Sequence, residues 1–79
     1  MPKYFFHVID GYESLDTEGT DLPDLAAARN AAVTMSGQIL RDGGGETLWA
    51  GVPWRLWVTD GSGATLFTLS FSCAEAGAS

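Results

Sequence analysis

The stretch DLAAARNAAVTMSGQILRDGGG, residues 24–45, decides the fold of this chain. Its apolar residues recur at spacings of three and four, which is the pattern of an amphipathic helix. Asp24 is the expected N-cap, with Asp21 as the alternative, because a carboxylate accepts hydrogen bonds from the free amides of the first turn. Gly43–Gly45 should end the helix, since glycine adopts the left-handed backbone easily. The stripe expected to face the core consists of Leu25, Ala28, Ala32, Met35 and Ile39.

A strand and a weaker return strand are expected before the helix. Residues 3–9, KYFFHVI, are mostly aromatic or β-branched, and Asp10–Gly11 follows them as a turn signal. Residues 12–16 are expected to form a short return strand, and residues 17–20 a polar loop. Both faces of the first strand are largely apolar, which indicates either a central place in the sheet or a sheet whose second face is also covered.

A hairpin is expected after the helix. Residues 54–59 alternate between apolar and polar side chains, and Asp60–Gly63 is a strong turn signal. Residues 64–71 then return as the second strand of the hairpin.

Two features between the helix and the hairpin have structural interpretations. Residues 46–53 are expected to form a loop that folds back on the core, because Leu48, Trp49 and Val52 are too apolar to be only solvated. Gly37, which lowers helix propensity, is expected to allow the sheet a close approach.

The assembled order predicts an α+β fold, a small ββαββ two-layer domain. An antiparallel sheet would carry one amphipathic helix packed on one face. Residues 1–72 would form this single domain, and residues 73–79 a flexible C-terminal tail made mostly of small residues.

One helix can cover only one face of a sheet, so the other face should expose apolar side chains. An exposed aromatic patch on a small domain usually marks a contact site. The interaction surface predicted on this face consists of Phe5, His7, Ile9, Arg55 and Trp57.

Composition excludes several classes of function. The chain has 79 residues, with ten acidic and four basic side chains and a formal net charge of -6, so phosphate backbones and anionic lipids are disfavoured partners. No stretch approaches the ~20 apolar residues of a membrane span, and the first strand is too short for a signal peptide. We therefore expect a cytoplasmic protein with no membrane contact.

Catalytic, metal and cofactor sites are not indicated. A single cysteine, Cys73, and a single histidine, His7, cannot build a four-ligand zinc site or an internal disulfide. His7 lacks a neighbouring nucleophile and orienting carboxylate in the sequence, so we expect a hydrogen-bonded sheet histidine and no enzyme. The acidic run from Asp10 to Asp24 is interpreted as a solvated loop with a helix cap, with weak divalent-cation binding as the alternative.

Several motifs together suggest a family resemblance: Pro2–Val8, Asp10–Gly11, Glu18–Leu25, Ala27–Arg29, Trp54, Val58–Asp60, Gly63, Leu69 and Phe71. In these residues the chain resembles a family of short, uncharacterised bacterial proteins that constitutes a domain of unknown function. The resemblance covers about residues 2–71 and departs at residues 43–53 and at Trp57, where the family more often has a polar residue. It implies the ββαββ order and adds no catalytic residue. A looser similarity in the order of elements is to HicB-type antitoxin domains.

These observations favour a non-enzymatic protein-interaction module without a cofactor. It would be a homodimer formed through the sheet face or a strand edge, because a second copy would supply the cover that a single helix cannot. The partner would be this second copy or an unknown protein. The alternative is an antitoxin-like or nucleic-acid-associated regulatory domain.

Overall fold

The molecule is an antiparallel sheet with one long helix, and the computed structural model describes residues 2–74 and 76. The strands are β1 (Lys3–Ile9), β2 (Glu13–Ser14), β3 (Thr20–Asp21), β4 (Trp54–Thr59) and β5 (Thr65–Phe71). They are arranged in the order β2-β1-β4-β5, and β3 pairs with the other end of β1. The predicted α+β class, with strands before and after the helix, is confirmed, and the sheet is open.

Strand β1 is central, as its two apolar faces predict. It pairs with β4 over five residues, from Phe5 opposite Thr59 to Ile9 opposite Arg55. Tyr4, Phe6 and Val8 are buried on the face that carries the helix. The strand therefore joins the N-terminal part of the chain to the C-terminal hairpin.

Helix α1 (Leu25–Ile39) starts where the sequence predicts. The Asp24 side chain accepts a hydrogen bond from the Ala27 amide at 2.9 Å, so Asp24 is the N-cap. Ala28 and Ala32 are fully buried, whereas Leu25 is exposed at the N-terminal end of the stripe. Met35 and Ile39 pack partly against the core.

One buried residue of α1 was not predicted, and one expectation about this helix is wrong. Ser36 is buried although it lies outside the predicted stripe, because the core contact is wide enough to include the neighbouring helix position. Gly37 makes no close approach to the sheet, since a Cβ atom placed there would meet nothing within 4 Å. The glycine is therefore not required by packing within the described chain.

The helix continues into a bend and a second short helix. Residues Leu40–Gly44 contain a kink, because Asp42 and Gly43 leave helical geometry and Gly43 has a φ of 118°. This left-handed backbone agrees with the role predicted for the glycines, but Gly45 is helical and begins α2 (Gly45–Trp49). The prediction of a loop from residue 46 is thus wrong, because the chain resumes helical geometry once Gly43 has turned it.

The segment before α1 also differs from its prediction. The return strand is reduced to β2, the two residues Glu13 and Ser14. The expected polar loop contains the start of β3, in which Thr20 and Asp21 pair with Tyr4 and Lys3. A two-residue strand has no periodicity to detect, so the pattern of side chains could not reveal it.

The core lies between α1, α2 and the sheet. Leu48 of α2 closes one end of the core, as predicted, whereas Trp49 beside it is 65% exposed. Trp54 is fully buried and stacks on Phe71, with ring centroids 4.4 Å apart. The predicted tail, residues 73–79, lies partly outside the described residues. The buried apolar residues are Tyr4, Phe6, Val8, Ala28, Ala32, Leu48, Trp54, Leu56 and Val58.

Candidate interaction surface

The sheet face opposite α1 brings together the five residues predicted as an interaction surface. Pairing of β1 with β4 sets His7 directly opposite Trp57 and Ile9 opposite Arg55. Phe5 lies two residues before His7 and therefore on the same face. We call this side of the sheet, with Phe5, His7, Ile9, Arg55 and Trp57, the open face.

The open face is less exposed than the sequence predicts. His7 is only 9% exposed, and Phe5, Ile9 and Trp57 are half-buried, so Arg55 alone among the five is exposed. The reason is cover from the chain itself. A Cβ atom at Gly19 would lie 2.9 Å from the Phe5 ring, which shows that the loop before β3 rests on this ring. Trp57 packs on His7, with ring centroids 5.2 Å apart.

Both ring nitrogens of His7 take part in hydrogen bonds. The backbone N–H of Asp16 donates to Nδ1 at 3.1 Å, and Nε2 lies 2.9 Å from the Thr59 hydroxyl. Because an N–H group must donate, Nδ1 carries no proton, and the neutral ring then bears its hydrogen on Nε2. His7 in this tautomer donates to Thr59 and cannot take a proton from it. The pair is therefore a structural bond and does not activate Thr59 as a nucleophile.

Asp16 connects the loop to the edge of β1. Its carboxylate accepts backbone hydrogen bonds from Phe6 at 3.1 Å, Glu18 at 3.0 Å and Gly19 at 3.1 Å. Partial burial raises the pKa of this carboxyl group, but the three backbone N–H donors outweigh it and lower the pKa below its ordinary value. Asp16 thus accepts the hydrogen bond of a β1 amide in the gap between the two short strands, β2 and β3, that pair with the two ends of β1.

Strand β5 forms the other edge of the sheet. Its seven residues, TLFTLSF, include no charged residue and no proline, and β4 is its only neighbour among the described strands. One residue, Leu66, bulges from the pairing, because Val58 lies opposite Phe67 and Thr59 opposite Thr65. A long uncharged edge of this kind is a template for pairing with another strand.

A groove of about 370 Å³ runs between α1 and β5. The helix contacts β4, and the apolar side chains of β5 on the same face stay half-buried. Ser36 in this groove is 3% exposed, and its hydroxyl has no hydrogen-bond partner. The groove lies directly beside the free edge. Its lining consists of Val33, Ser36, Gly37, Leu40, Leu69 and Phe71.

One cleft of about 370 Å³, beside Trp57, groups His7 with Asp16 and Asp60. A larger cleft of about 640 Å³ at the bend after α1 includes Asp10, Gln38 and Asp42, but neither His7 nor the exposed Cys73. Within residues 2–74 and 76, no three His, Cys, Asp or Glu side chains are grouped as metal ligands. In the same residues, no helix has the length and apolar character needed to span a bilayer.

Sequence reasoning missed three residues that shape these surfaces. Asp16 was interpreted as part of a solvated acidic run, although an acid followed three residues later by glycine is a common turn that closes on its own amides. Thr59 and Ser36 carried no signal, because their burial depends on contacts with elements distant in the chain. The sequence indicated which side chains share a face but not which of them the loop covers.

Comparison with known proteins identifies a family but no activity. The family model described as Domain of unknown function (DUF6894) matches residues 3–72. Neither the curated proteins nor the solved structures yielded a match. Because the matched region spans nearly all of the chain, the protein belongs to the DUF6894 family, a domain of unknown function.

Proposed function

We propose that this protein is a non-enzymatic interaction module that forms a homodimer through an edge of its sheet. The observation that carries the proposal is the free edge of β5, seven uncharged residues beside an apolar groove. Protein sheets usually protect such edges with charges, prolines or very short strands. The opposite edge of this sheet has that protection, because β2 and β3 contain two residues each and Asp16 occupies the gap between them.

The edge is a better candidate for self-association than the open face. Phe5 and Trp57 already have cover from Gly19 and His7 of the same chain. Because these rings are already partly covered, binding through the open face would remove less apolar surface from water than it would if the rings were fully exposed. We assign this face a supporting role, in which Trp57 and His7 brace β4 against β1.

The proposal of a non-enzymatic role is supported by the geometry of His7. This residue donates to Thr59 through Nε2 and accepts a hydrogen bond at Nδ1, so neither nitrogen is free to act as a base.

Static light scattering at micromolar concentration tests the dimer directly. We expect a mass twice the 8.4 kDa of one chain. A mass of 8.4 kDa across the concentration range would overturn the proposal. A gel-shift assay at low salt with single-stranded oligonucleotides tests the alternative regulatory function, and a shifted band would favour that alternative.

A further inference from the structure

We propose that β5 of one chain pairs with β5 of a second copy, antiparallel and centred on Leu69, so that two four-strand paths join into one continuous sheet. This inference rests on the homodimer proposed above and specifies its contact. It assigns the register and the side of the sheet on which the second helix lies.

The first step is the symmetry of an edge contact. Two copies of one strand that pair antiparallel are related by a two-fold axis perpendicular to the sheet. Side chains that face each other across the pair must then belong to the same face. The pairing must therefore be centred on a residue and not between two residues, and both α1 helices lie on the same side of the joined sheet.

The second step is the choice of the central residue. Centring on Leu69 sets Leu69 opposite the partner's Leu69, Thr68 opposite the partner's Ser70, and Phe67 opposite the partner's Phe71. Each pair then matches in chemistry, and aromatic pairs across strands are among the more stabilising. The same register uses only residues 67–71, so the bulged Leu66 remains outside the pairing. A centre at Thr68 would bring Thr65, beyond the bulge, opposite the partner's Phe71.

The third step is the identity of the partner. The chain carries a net charge of -6, so two copies repel each other at most surfaces. Strand β5 contains no charged residue, so two copies that pair along it bring no like charges of this strand opposite each other. Pairing also extends the floor of the α1–β5 groove, because Leu69 lies beside the partner's Leu69 and Phe71 lies beside the partner's Phe67.

Disulfide trapping tests this register. Thr68 and Ser70 are exposed, so Thr68→Cys and Ser70→Cys should leave the core intact, and both are made with Cys73→Ser to remove the exposed native thiol. Opposed residues in an antiparallel pair have Cα atoms about 4.5–5.5 Å apart, within the roughly 4.4–6.8 Å range of disulfides. In this register Thr68 and the partner's Thr68 are not opposed but diagonal, and diagonal neighbours lie about 7–8 Å apart, too far for a disulfide.

We expect the mixture of the two variants to form a disulfide-linked dimer under mild oxidation, with only a trace from either variant alone. Self-linking of the Thr68→Cys variant instead would place the centre at Thr68 and overturn the register. A dimer by light scattering with no selective cross-link would overturn the β5 contact but leave the homodimer in place. A monomer by light scattering would overturn both. Leu66→Cys in the same Cys73→Ser background serves as a control outside the proposed pairing.

Discussion

The two edges of the sheet differ in how they treat the backbone groups that an edge strand leaves unpaired. Along β1, the edge is occupied by β2 and β3, each two residues long, and the Asp16 carboxylate accepts the Phe6 amide between them. Along β5, seven residues run uninterrupted, with no charged side chain. At the β1 edge, which we call the closed edge, a carboxylate accepts the hydrogen bond that a neighbouring strand would otherwise accept. At the β5 edge, which we call the free edge, the backbone groups can pair with another strand.

The two edges also differ in how well their buried polar side chains are hydrogen-bonded. Asp16 and His7 form a connected set of hydrogen bonds that links the β2–β3 loop, β1 and β4. On the other side, the Ser36 hydroxyl is buried without a partner in the described chain. We expect substitutions at the closed edge to cost stability and substitutions beside the free edge to be tolerated or favourable. The predictions below test this contrast, with unfolding measured at one fixed protein concentration because a dimer would make it concentration-dependent.

The largest effect is expected from His7→Ala. The change leaves a cavity beneath Trp57 and removes the acceptor of the Asp16 amide, so the free energy of unfolding should fall by about 2–4 kcal/mol. Urea denaturation followed by tryptophan fluorescence measures it. Tyr12→Ala, at a side chain that is 84% exposed, is the control and should change stability by less than about 0.5 kcal/mol. Equal effects of the two changes would contradict the structural role of His7.

A smaller loss is expected from Asp16→Ala. Three backbone N–H groups lose their acceptor, two of them partly buried, which should cost about 1–3 kcal/mol in urea denaturation. Asp16→Asn keeps one acceptor oxygen and should cost less. Glu18→Ala, in the same loop and exposed, is the matched control. If Asp16→Ala were as mild as Glu18→Ala, the loop would not depend on the carboxylate.

Acid should weaken the closed edge. Because the pKa of Asp16 is lowered in the folded chain, the unfolded chain binds more protons, and stability rises with pH. The contribution of Asp16 is complete above its unfolded pKa, near 4, and is lost as the pH falls through the lower folded value. We expect the free energy of unfolding to fall less steeply for Asp16→Asn than for the unchanged protein between pH 6 and pH 3, roughly the range in which carboxyl groups titrate. Urea denaturation at each pH measures this slope.

Asp60, in the turn between β4 and β5, provides the comparison. The Ser62 hydroxyl and the backbone amides of Ser62 and Ala64 donate to Asp60 and lower the pKa of its carboxyl group as well. This turn is exposed to solvent, which screens the interaction, so Asp60→Asn should change the same slope less than Asp16→Asn. Parallel pH curves for all three proteins would contradict the assignment.

The smallest effect is a gain beside the groove. Gly37→Ala should raise the free energy of unfolding by about 0.5–1 kcal/mol, because alanine favours the helix and a Cβ atom there meets nothing within 4 Å. Gly43→Ala is the matched control, with equal space but a φ of 118°, and should lower stability. A loss from Gly37→Ala would mean that another surface occupies this space in solution.

The sequence predicted the elements whose side chains repeat over many residues. Residues 3–9 are β1, residues 54–59 are β4, and Asp24 caps α1, because pattern and capping chemistry are both local. The apolar alternation also placed Phe5, His7 and Trp57 on one face, which the strand register confirms. Their role in binding a partner remains a prediction.

The remaining features depend on contacts that a linear pattern does not encode. Strand β3 exists because Thr20 and Asp21 lie against the end of β1, and α2 exists because the chain resumes helical geometry after Gly43. The burial of His7 requires Asp16 and Thr59, which approach it from different parts of the chain. The sequence alone therefore overestimated how much of the open face is accessible.

The central position of β1 imposes an order on biosynthesis. Its main partner, β4, follows it by nearly fifty residues, with Phe5 opposite Thr59 and Ile9 opposite Arg55. A nascent chain that ends before residue 54 carries β1 with its apolar faces and backbone groups unpaired on that side. Pairing between strands so distant in sequence generally forms more slowly than local contacts. Strand β1 can therefore pair with β4 only after residues 54–59 have left the ribosome.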